Sequence, residues 1–460
     1  MYQLDFNNPI HVYFCGIGGI SMSGLAEILL SRHFKVSGSD MKSSPLTKRL
    51  EELGANVKYG QRESNITDDI DLMVYTAAIS PENPEFVEVK KRNIPAITRA
   101  ELLGQLMKNF KVPVAISGTH GKTTTTSMVS EMMLAADYDP TLSIGGILKT
   151  IGGNLRIGHS DYFVTEACEY TNSYLSFFPK ISIILNIDAD HLDFFKDIND
   201  IRDSFHRFAK LLPSDGRLII NGDIENLNEI VDGIACPYIT FGKTKDSDYY
   251  PTDITYDELG HPSFILNHNG EKKEVKLSVV GEHNVYNSCA VFALADLVGI
   301  DIDTAVSSVG SFTGTDRRFE KKGMLGDITI IDDYAHHPTE IKATLNAAKN
   351  YPHNKLWVVF QPHTYSRTKA LLNDFADALT IADNIILTDI YAAREKNTIG
   401  ISSKDLKAAI DKLGRGVNCY YYPTFDEIEK FLLENCTKDD LLITMGAGDV
   451  VKIGESLLGQ

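Results

Sequence analysis

The chain has 460 residues, 43% of them hydrophobic and 23% charged, with a net charge of −17. At about 150 residues per domain that length predicts three domains, each with its own core, in a globular protein. The acidic balance excludes a general nucleic-acid or anionic-membrane surface, the 6 scattered cysteines form no C-x-x-C pair, and no apolar run is long enough to span a membrane.

Residues 1–9 show neither a basic n-region nor an apolar h-region, so a cytoplasmic protein with reduced thiols is expected. Residues 10–15 predict a strand, which runs into Gly16-Ile-Gly-Gly-Ile-Ser21. A helix over 22–33 follows, then a second strand over 34–38 that ends near Asp40. This is the opening of a Rossmann-type βαβ unit with an acid after strand two. Read alone it admits a nicotinamide dinucleotide or another diphosphate, because the third fingerprint position is Ser21 and not Gly. Residues 71–76 and 95–98 read as further strands and 102–110 as a linking helix, which puts a boundary near Lys111.

The second unit opens with a strand over 112–117, the turn Gly118-Thr-His-Gly-Lys-Thr123 and a helix through 127–133. Strand, glycine turn, Lys, hydroxyl and helix is the layout of a phosphate-binding loop. Backbone N–H groups and the helix dipole face an anion, Lys122 reaches the β/γ-phosphates, and Thr123 offers an oxygen to Mg²⁺. The first glycine of the standard pattern is missing; Ile116 stands there. Lys122 reads as an exposed loop lysine.

Residues 162–166 and 181–187 are strands, the second unbroken in its apolar run, as a parallel strand covered on both faces should be. Glu166 ends the first, and Asp188-Ala-Asp-His191 follows the second. Ligands of parallel sheets bind outside the carboxyl ends of the strands, so Lys122, Thr123, Glu166 and His191 are expected to converge. The bland alternative is a surface acid and a loop-capping pair. Residues 217–222 and 238–242 continue the sheet, and 249–280 alternate around turns as a small antiparallel excursion. Gly281-Glu-His-Asn-Val-Tyr-Asn287 opens a helix over 288–298, where Asn284 reads first as a cap.

Residues 311–319 form a linker with a boundary near Gly314. Strands over 328–332, 356–360, 384–388 and 440–444 then alternate with helices, giving a further doubly wound sheet. Polar turns follow each strand: Asp333 to Pro338, Gln361 to Arg367, Asp389 to Arg394 and Met445 to Gly448. The expected domains are residues 1–111, 112–313 and 314–460.

These motifs, in this order, resemble those of the Mur ligase family. They are Gly16-Ile-Gly-Gly-Ile-Ser21, Gly118-Thr-His-Gly-Lys-Thr-Thr-Thr-Thr126, Asn186-Ile-Asp-Ala-Asp-His191, Gly281-x-His-Asn-x-x-Asn287, Arg317-Arg-Phe319, Asp332-Asp-Tyr-Ala-His-His-Pro-Thr-Glu340, Phe360-Gln-Pro-His363 and Met445-Gly-Ala-Gly-Asp449. The resemblance runs from Ile10 to about Ile453 and covers the missing loop glycine, which the family also lacks. It implies a Rossmann-like N-terminal domain for a UDP-sugar, a central P-loop domain with a parallel sheet, and a C-terminal doubly wound αβ domain.

Carried over residue by residue, the resemblance implies that Lys122, Glu166, His191, Arg318 and Asp333 serve catalysis. ATP would meet Gly118, Thr119, His120, Gly121, Lys122, Thr123 and Thr124 of the loop, with His283, Asn284 and Asn287. Gly16, Gly18, Gly19, Ser21 and Asp40 would face the UDP-sugar. His337, His363 and Arg367 would serve its carboxylate and the incoming amino acid. Thr123, Glu166 and His191 would hold Mg²⁺, with two ions expected.

The implied reaction is ATP-dependent amide-bond formation through an acyl phosphate, in peptidoglycan precursor synthesis. Its partners are small molecules: UDP-N-acetylmuramate, an amino acid and ATP. Nucleic acid and membrane insertion are not expected, and the chain is expected to be a monomer or weak homodimer. Later-acting siblings carry a carbamoylated lysine after the Asp-His motif; residues 192–208 offer only Lys196, too near that motif. This favours a member adding L-alanine, the alternative being one that adds a whole tripeptide. Cys168, Ala335 and Thr364 depart from the pattern of some relatives, and Thr cannot replace a bidentate guanidinium at a carboxylate.

Overall fold

The computed structural model describes residues 3–76, 79–393 and 395–460, so Arg394 lies outside the described residues. Three sheets succeed one another along the chain. The first has five parallel strands, in the order Asn56–Tyr59, Lys35–Asp40, His11–Cys15, Leu72–Tyr75 and Ala96–Thr98. Its order reverses beside His11–Cys15, the strand that feeds Gly16. A ligand crevice belongs at such a switch point.

The second sheet is built on five parallel strands, Tyr162–Ala167, Val112–Ser117, Ile181–Ile184, Arg217–Asn221 and Tyr238–Phe241. The expected antiparallel excursion extends one edge as Tyr249–Tyr256, Pro262–His268 and Glu271–Lys276. The other edge is extended by Thr141–Leu148 and Gly153–Arg156. The strand beginning at Ile181 stops at Ile184, short of the expected 187. Leu185 gives its last ladder bond to Ser117 O, and Asn186 then turns over the loop. Two helices start earlier than expected, Lys122–Ala135 and Glu282–Val298. In both, an N-terminal glycine at positive φ, Gly121 and Gly281, begins the helix inside the motif itself.

The third sheet runs Glu320–Leu325, Ile328–Asp333, Leu441–Met445, Leu356–Phe360, Asn384–Leu387 and Asn418–Tyr421. All its pairings are parallel except the first, an antiparallel hairpin at the edge. The central strands are buried along their whole length, as their continuous apolar runs require. The chain is thus a three-domain α/β protein, with the carboxyl ends of the second and third sheets turned toward a shared cleft.

Candidate functional site

The strand Val112–Ser117 ends at Gly118, whose φ of 142° and tight fit against Leu185 leave no room for a side chain: a Cβ there would stand 2.9 Å from Leu185 Cβ. Asn186 fixes the turn from the neighbouring strand end. Its carbonyl accepts from Thr119 N–H at 3.1 Å, and its side-chain oxygen accepts from His120 N–H at 2.8 Å. Gly121 caps the 14-residue helix Lys122–Ala135 and no side chain satisfies the first-turn amides. Those amides and the dipole behind them form an anion site by construction.

Lys122 is not the exposed loop lysine the sequence suggests. It is mostly buried, and its ammonium donates to Gly118 O at 2.5 Å, Thr119 O at 3.1 Å and Glu169 at 2.9 Å. Burial alone would depress its pKa, but the Glu169 carboxylate outweighs burial and holds it above the usual lysine range. Glu169 is 2% exposed and also lies 3.7 Å from His191 Nε2. The loop's cation therefore sits on an internal carboxylate, at the place where phosphate oxygens would compete for it.

Thr123 and Glu166 meet at the next strand end. The Thr123 hydroxyl donates to Glu166 Oε2 at 3.2 Å, and Gly145 N–H donates to the other carboxylate oxygen at 2.5 Å. Burial raises the Glu166 pKa above the usual carboxylate range. A hydroxyl and a partly buried carboxylate side by side, next to a phosphate loop, are a hard-oxygen donor pair that fits Mg²⁺. His191 adopts a left-handed conformation (φ 55°), packs on Tyr170 with ring centroids 4.6 Å apart, and faces Glu169 and Asp190.

A cavity of about 1010 Å³ opens between the central and C-terminal domains. His120, Gly121 and Thr124 of the loop line one wall, and His283, Asn284 and Asn287 another. Asn284 is not the cap its sequence position suggests: Gly281 is the N-cap, and Asn284 lies inside the helix, donating to Val280 O at 2.9 Å and accepting from Asn287 Nδ2 at 3.1 Å. His283 itself is exposed on that wall. Arg318 and Asp333 form the C-terminal wall. Asp333 accepts from Phe319 N–H at 2.9 Å and Ala335 N–H at 2.7 Å, and burial pushes its pKa up to about 6. Arg318 lies over the Tyr334 ring, 5.3 Å from its centroid.

The two walls are bridged directly. His120 stands between Asp188 at 3.3 Å and Glu340 at 3.2 Å, Thr339 donates to Asp188 at 2.7 Å, and His337 Nε2 meets Ala189 O at 3.2 Å. His337 thus lies by the loop and not with His363 and Arg367. Those two line a smaller cavity of about 190 Å³ with His191, Thr364 and Glu395. There Arg367 pairs with Asp190 at 3.1 Å, and burial brings the His363 pKa down to about 4. Thr364 takes a φ of 66°, a strained conformation for a β-branched residue.

In the N-terminal domain Gly16 turns at a φ of 83°. Gly18 N–H donates to Asp40 Oδ2 at 2.9 Å, and a Cβ at Gly18 would stand 2.8 Å from that oxygen. Gly19 caps the helix Ile20–Ser31 without a side-chain partner, and Ser21 receives Arg99 Nη1 at 3.0 Å. These residues surround their own turn, on a different domain from the loop.

Sequence reasoning passed over Glu169, Glu340, Asn186 and Asp188. Each sits within five residues of a residue it did select, but their value lies in contacts across sheets or domains. Glu340 shows this best: burial would raise its pKa, yet His336 and His120 around it hold it well below the usual range.

Family models describe three successive parts of the chain: "Mur ligase family, catalytic domain" over residues 11–111, "Mur ligase middle domain" over 116–295, and "Mur ligase, glutamate ligase domain" over 317–448. A relative from Agathobacter rectalis named UDP-N-acetylmuramate–L-alanine ligase is 59% identical over 459 residues, covering 100% of both chains. A solved UDP-N-acetylmuramate–alanine ligase from Thermotoga maritima superposes with a TM-score of 0.79 at 29% identity, covering 98% of each chain. A murein peptide ligase from Psychrobacter arcticus shares the fold, with a TM-score of 0.72 at 24% identity over 98% of each chain.

Proposed function

The chain belongs to the Mur ligase family, and from that membership we propose its reaction: the joining of L-alanine to the carboxylate of UDP-N-acetylmuramate, driven by ATP, in peptidoglycan precursor synthesis. The full-length identity to alanine-adding relatives supports alanine over a tripeptide. The observation that carries the chemistry is the meeting of Lys122, Thr123 and Glu166 at adjacent strand ends, beside a cavity whose far wall is Arg318 and Asp333.

A carboxylate does not acylate an amine at neutral pH, so it must first be activated. A carboxylate oxygen of the sugar attacks the γ-phosphorus, the bond to the ADP oxygen breaks, and an acyl phosphate forms. The amine of alanine then attacks the acyl carbon, and phosphate leaves with that carboxylate oxygen. Two anions meet in the first step. Lys122 exchanges Glu169 for the phosphates and neutralises charge on the transferring group, and Arg318 approaches from the other wall. Mg²⁺ held by Thr123 and Glu166, with a second ion proposed at His191, would supply further charge neutralisation. Closure of the cleft keeps water from the acyl phosphate. No side-chain nucleophile is needed.

The domain limits follow as 1–111, 112–313 and 314–460, a reading supported by the three sheets. No helix among the described residues is long and apolar enough to cross a membrane, in keeping with the cytoplasmic location we propose. A monomer or weak homodimer is proposed, for which light scattering is the check. The reaction is tested by ADP release from ATP and UDP-N-acetylmuramate, screened over single amino acids and the tripeptide. ¹⁸O in the muramyl carboxylate should appear in the released phosphate. Label in AMP, or tripeptide preferred over alanine, would overturn the reading.

A further inference from the structure

His120, Asp188 and His337 each place one ligand atom within 4.8 Å of the other two. The three come from different parts of the fold: the phosphate loop, the turn after the strand Ile181–Ile184, and the N-cap of the helix Pro338–Lys349. The first two belong to the central domain and the third to the C-terminal domain. From this meeting we propose that the three residues form a transition-metal site, for Zn²⁺ or an ion of like preference, that staples the two domains shut.

The spacing suits such an ion. His120 Nε2 and Asp188 Oδ2 are 3.3 Å apart, the edge of a tetrahedron with metal–ligand bonds near 2.0–2.1 Å being about 3.3 Å. The outer partners are also in place. His120 Nδ1 faces Glu340 Oε1 at 3.2 Å, so that carboxylate takes the Nδ1–H, and a metal would replace the proton that Nε2 shares with Asp188. The Asp188 carboxylate is fixed by the Thr339 hydroxyl at 2.7 Å. His337 is 4% exposed, so its ring is held in place at the helix N-cap. It now accepts a long 3.3 Å bond from Thr339 N–H and meets Ala189 O at 3.2 Å, and the metal would displace one of these. The rings of His120 and His337 lie 4.8 Å apart, so little movement is needed.

Two imidazoles beside a single carboxylate suit Zn²⁺ or Co²⁺ better than Mg²⁺, which prefers a shell made mostly of oxygen. The site is therefore distinct from the Thr123–Glu166 oxygen pair. Because the ligands straddle the cleft, a bound ion would oppose the opening that lets product leave, and so act as an inhibitor.

The test uses the full-length protein, stripped with chelator and held in excess Mg²⁺, titrated with Co²⁺ as a coloured stand-in for Zn²⁺. One equivalent should give the visible absorption of four-coordinate Co²⁺, and Zn²⁺ should bleach it. His337→Ala should lose the band, and Glu340→Gln should weaken binding about 10–100-fold through the lost outer partner. His191→Ala should keep the band, because it alters only the neighbouring Mg²⁺ set. Circular dichroism checks each fold, and Asp188→Asn carries the same test if His337→Ala does not fold. Zn²⁺ should also raise the unfolding temperature of the wild type and not of the ligand variant. No band in the wild type, a full band in the folded ligand variant, or its loss in His191→Ala would each overturn the proposal. None of these outcomes bears on the alanine-adding reaction, which the ADP assay tests separately.

Discussion

The two domain junctions of this chain are built from opposite materials. Between the N-terminal and central domains one apolar core runs without a break, joining Leu4, Leu106 and Phe110 of the first domain to Phe163, Tyr174 and Phe177 of the second. The Phe110 and Phe163 rings stand 5.0 Å apart, and Gly104 lies so close to Ser176 that a Cβ would come 1.9 Å from its carbonyl oxygen. Between the central and C-terminal domains the joining groups are polar: His120 with Glu340, Thr339 with Asp188, and Arg367 with Asp190. The cores of the C-terminal domain do not extend across this gap. Apolar burial is lost in full when a close-packed junction parts, whereas hydrogen bonds and ion pairs can be exchanged for water. The sequence placed domain boundaries near both Lys111 and Gly314. On this ground we expect the opening motion at the second, where Gly314 has a φ of 103°, with the first two domains moving as one body.

The largest expected effect sits at the polar junction. Lys122→Ala should lower turnover by about 10²–10³-fold or more, since it removes a fixed charge from the transferring phosphoryl group. It should also destabilise the fold by about 3–5 kcal/mol, because Glu169 is left buried without its partner. Adding Glu169→Gln should recover much of that stability and none of the turnover. Wild-type turnover in Lys122→Ala would remove Lys122 from the chemistry.

The apolar junction should break differently. Phe163→Ala should cost about 3–5 kcal/mol of stability. If the first two domains are one body, its thermal unfolding should lower their transition together and leave the C-terminal transition in place. Separate transitions for the N-terminal and central domains in the wild type would refute the single body.

A smaller change tests the polar junction as a latch. Thr339→Val removes one cross-domain hydrogen bond, worth about 0.5–1.5 kcal/mol. The radius of gyration of the ligand-free protein should increase, while ATP analogue plus UDP-sugar should still compact it. An unchanged radius would mean that this bond does not help hold the cleft.

How much of this could be seen in the sequence follows the same division. The central parallel strands were legible because burial on both faces forces continuous apolar runs such as Leu356–Phe360, and the glycine turns because positive φ selects glycine. Several strands at or next to the sheet margins were not, although Ala96–Thr98 was. Thr141–Leu148 carries Gly145 and Gly146, and Glu320–Leu325 is rich in lysine, so neither shows a strand's alternation. Within the site, Lys122, Thr123, Glu166 and His191 stood out because local spacing marks them. The state of Lys122 did not, since it depends on Glu169 and on its burial. Likewise His337 reads as a substrate ligand from its motif, and only the packing of two domains shows it against His120 and Ala189.

The weakest expected effect is a pH dependence confined to the second junction. Asp333 holds the end of the linker by accepting Phe319 N–H, and it is buried beside Arg318. Burial raises its pKa from 3.8 to about 6 in the folded state. A carboxyl with a raised folded-state pKa binds its proton more tightly when folded. Its stabilising contribution is therefore complete below about pH 4 and is lost as pH rises through the folded value. Asp333→Asn keeps the shape and cannot ionise. The variant's stability minus that of the wild type, followed by urea unfolding, should rise between about pH 4 and pH 6 and then level off. The slope should appear in the transition of the C-terminal domain, because the apolar junction contributes no carboxylate of this kind. A difference that is flat with pH, or that falls, would mean that Asp333 is not buried as a charge at the linker. The polar junction would then owe its mobility to the Gly314 backbone alone.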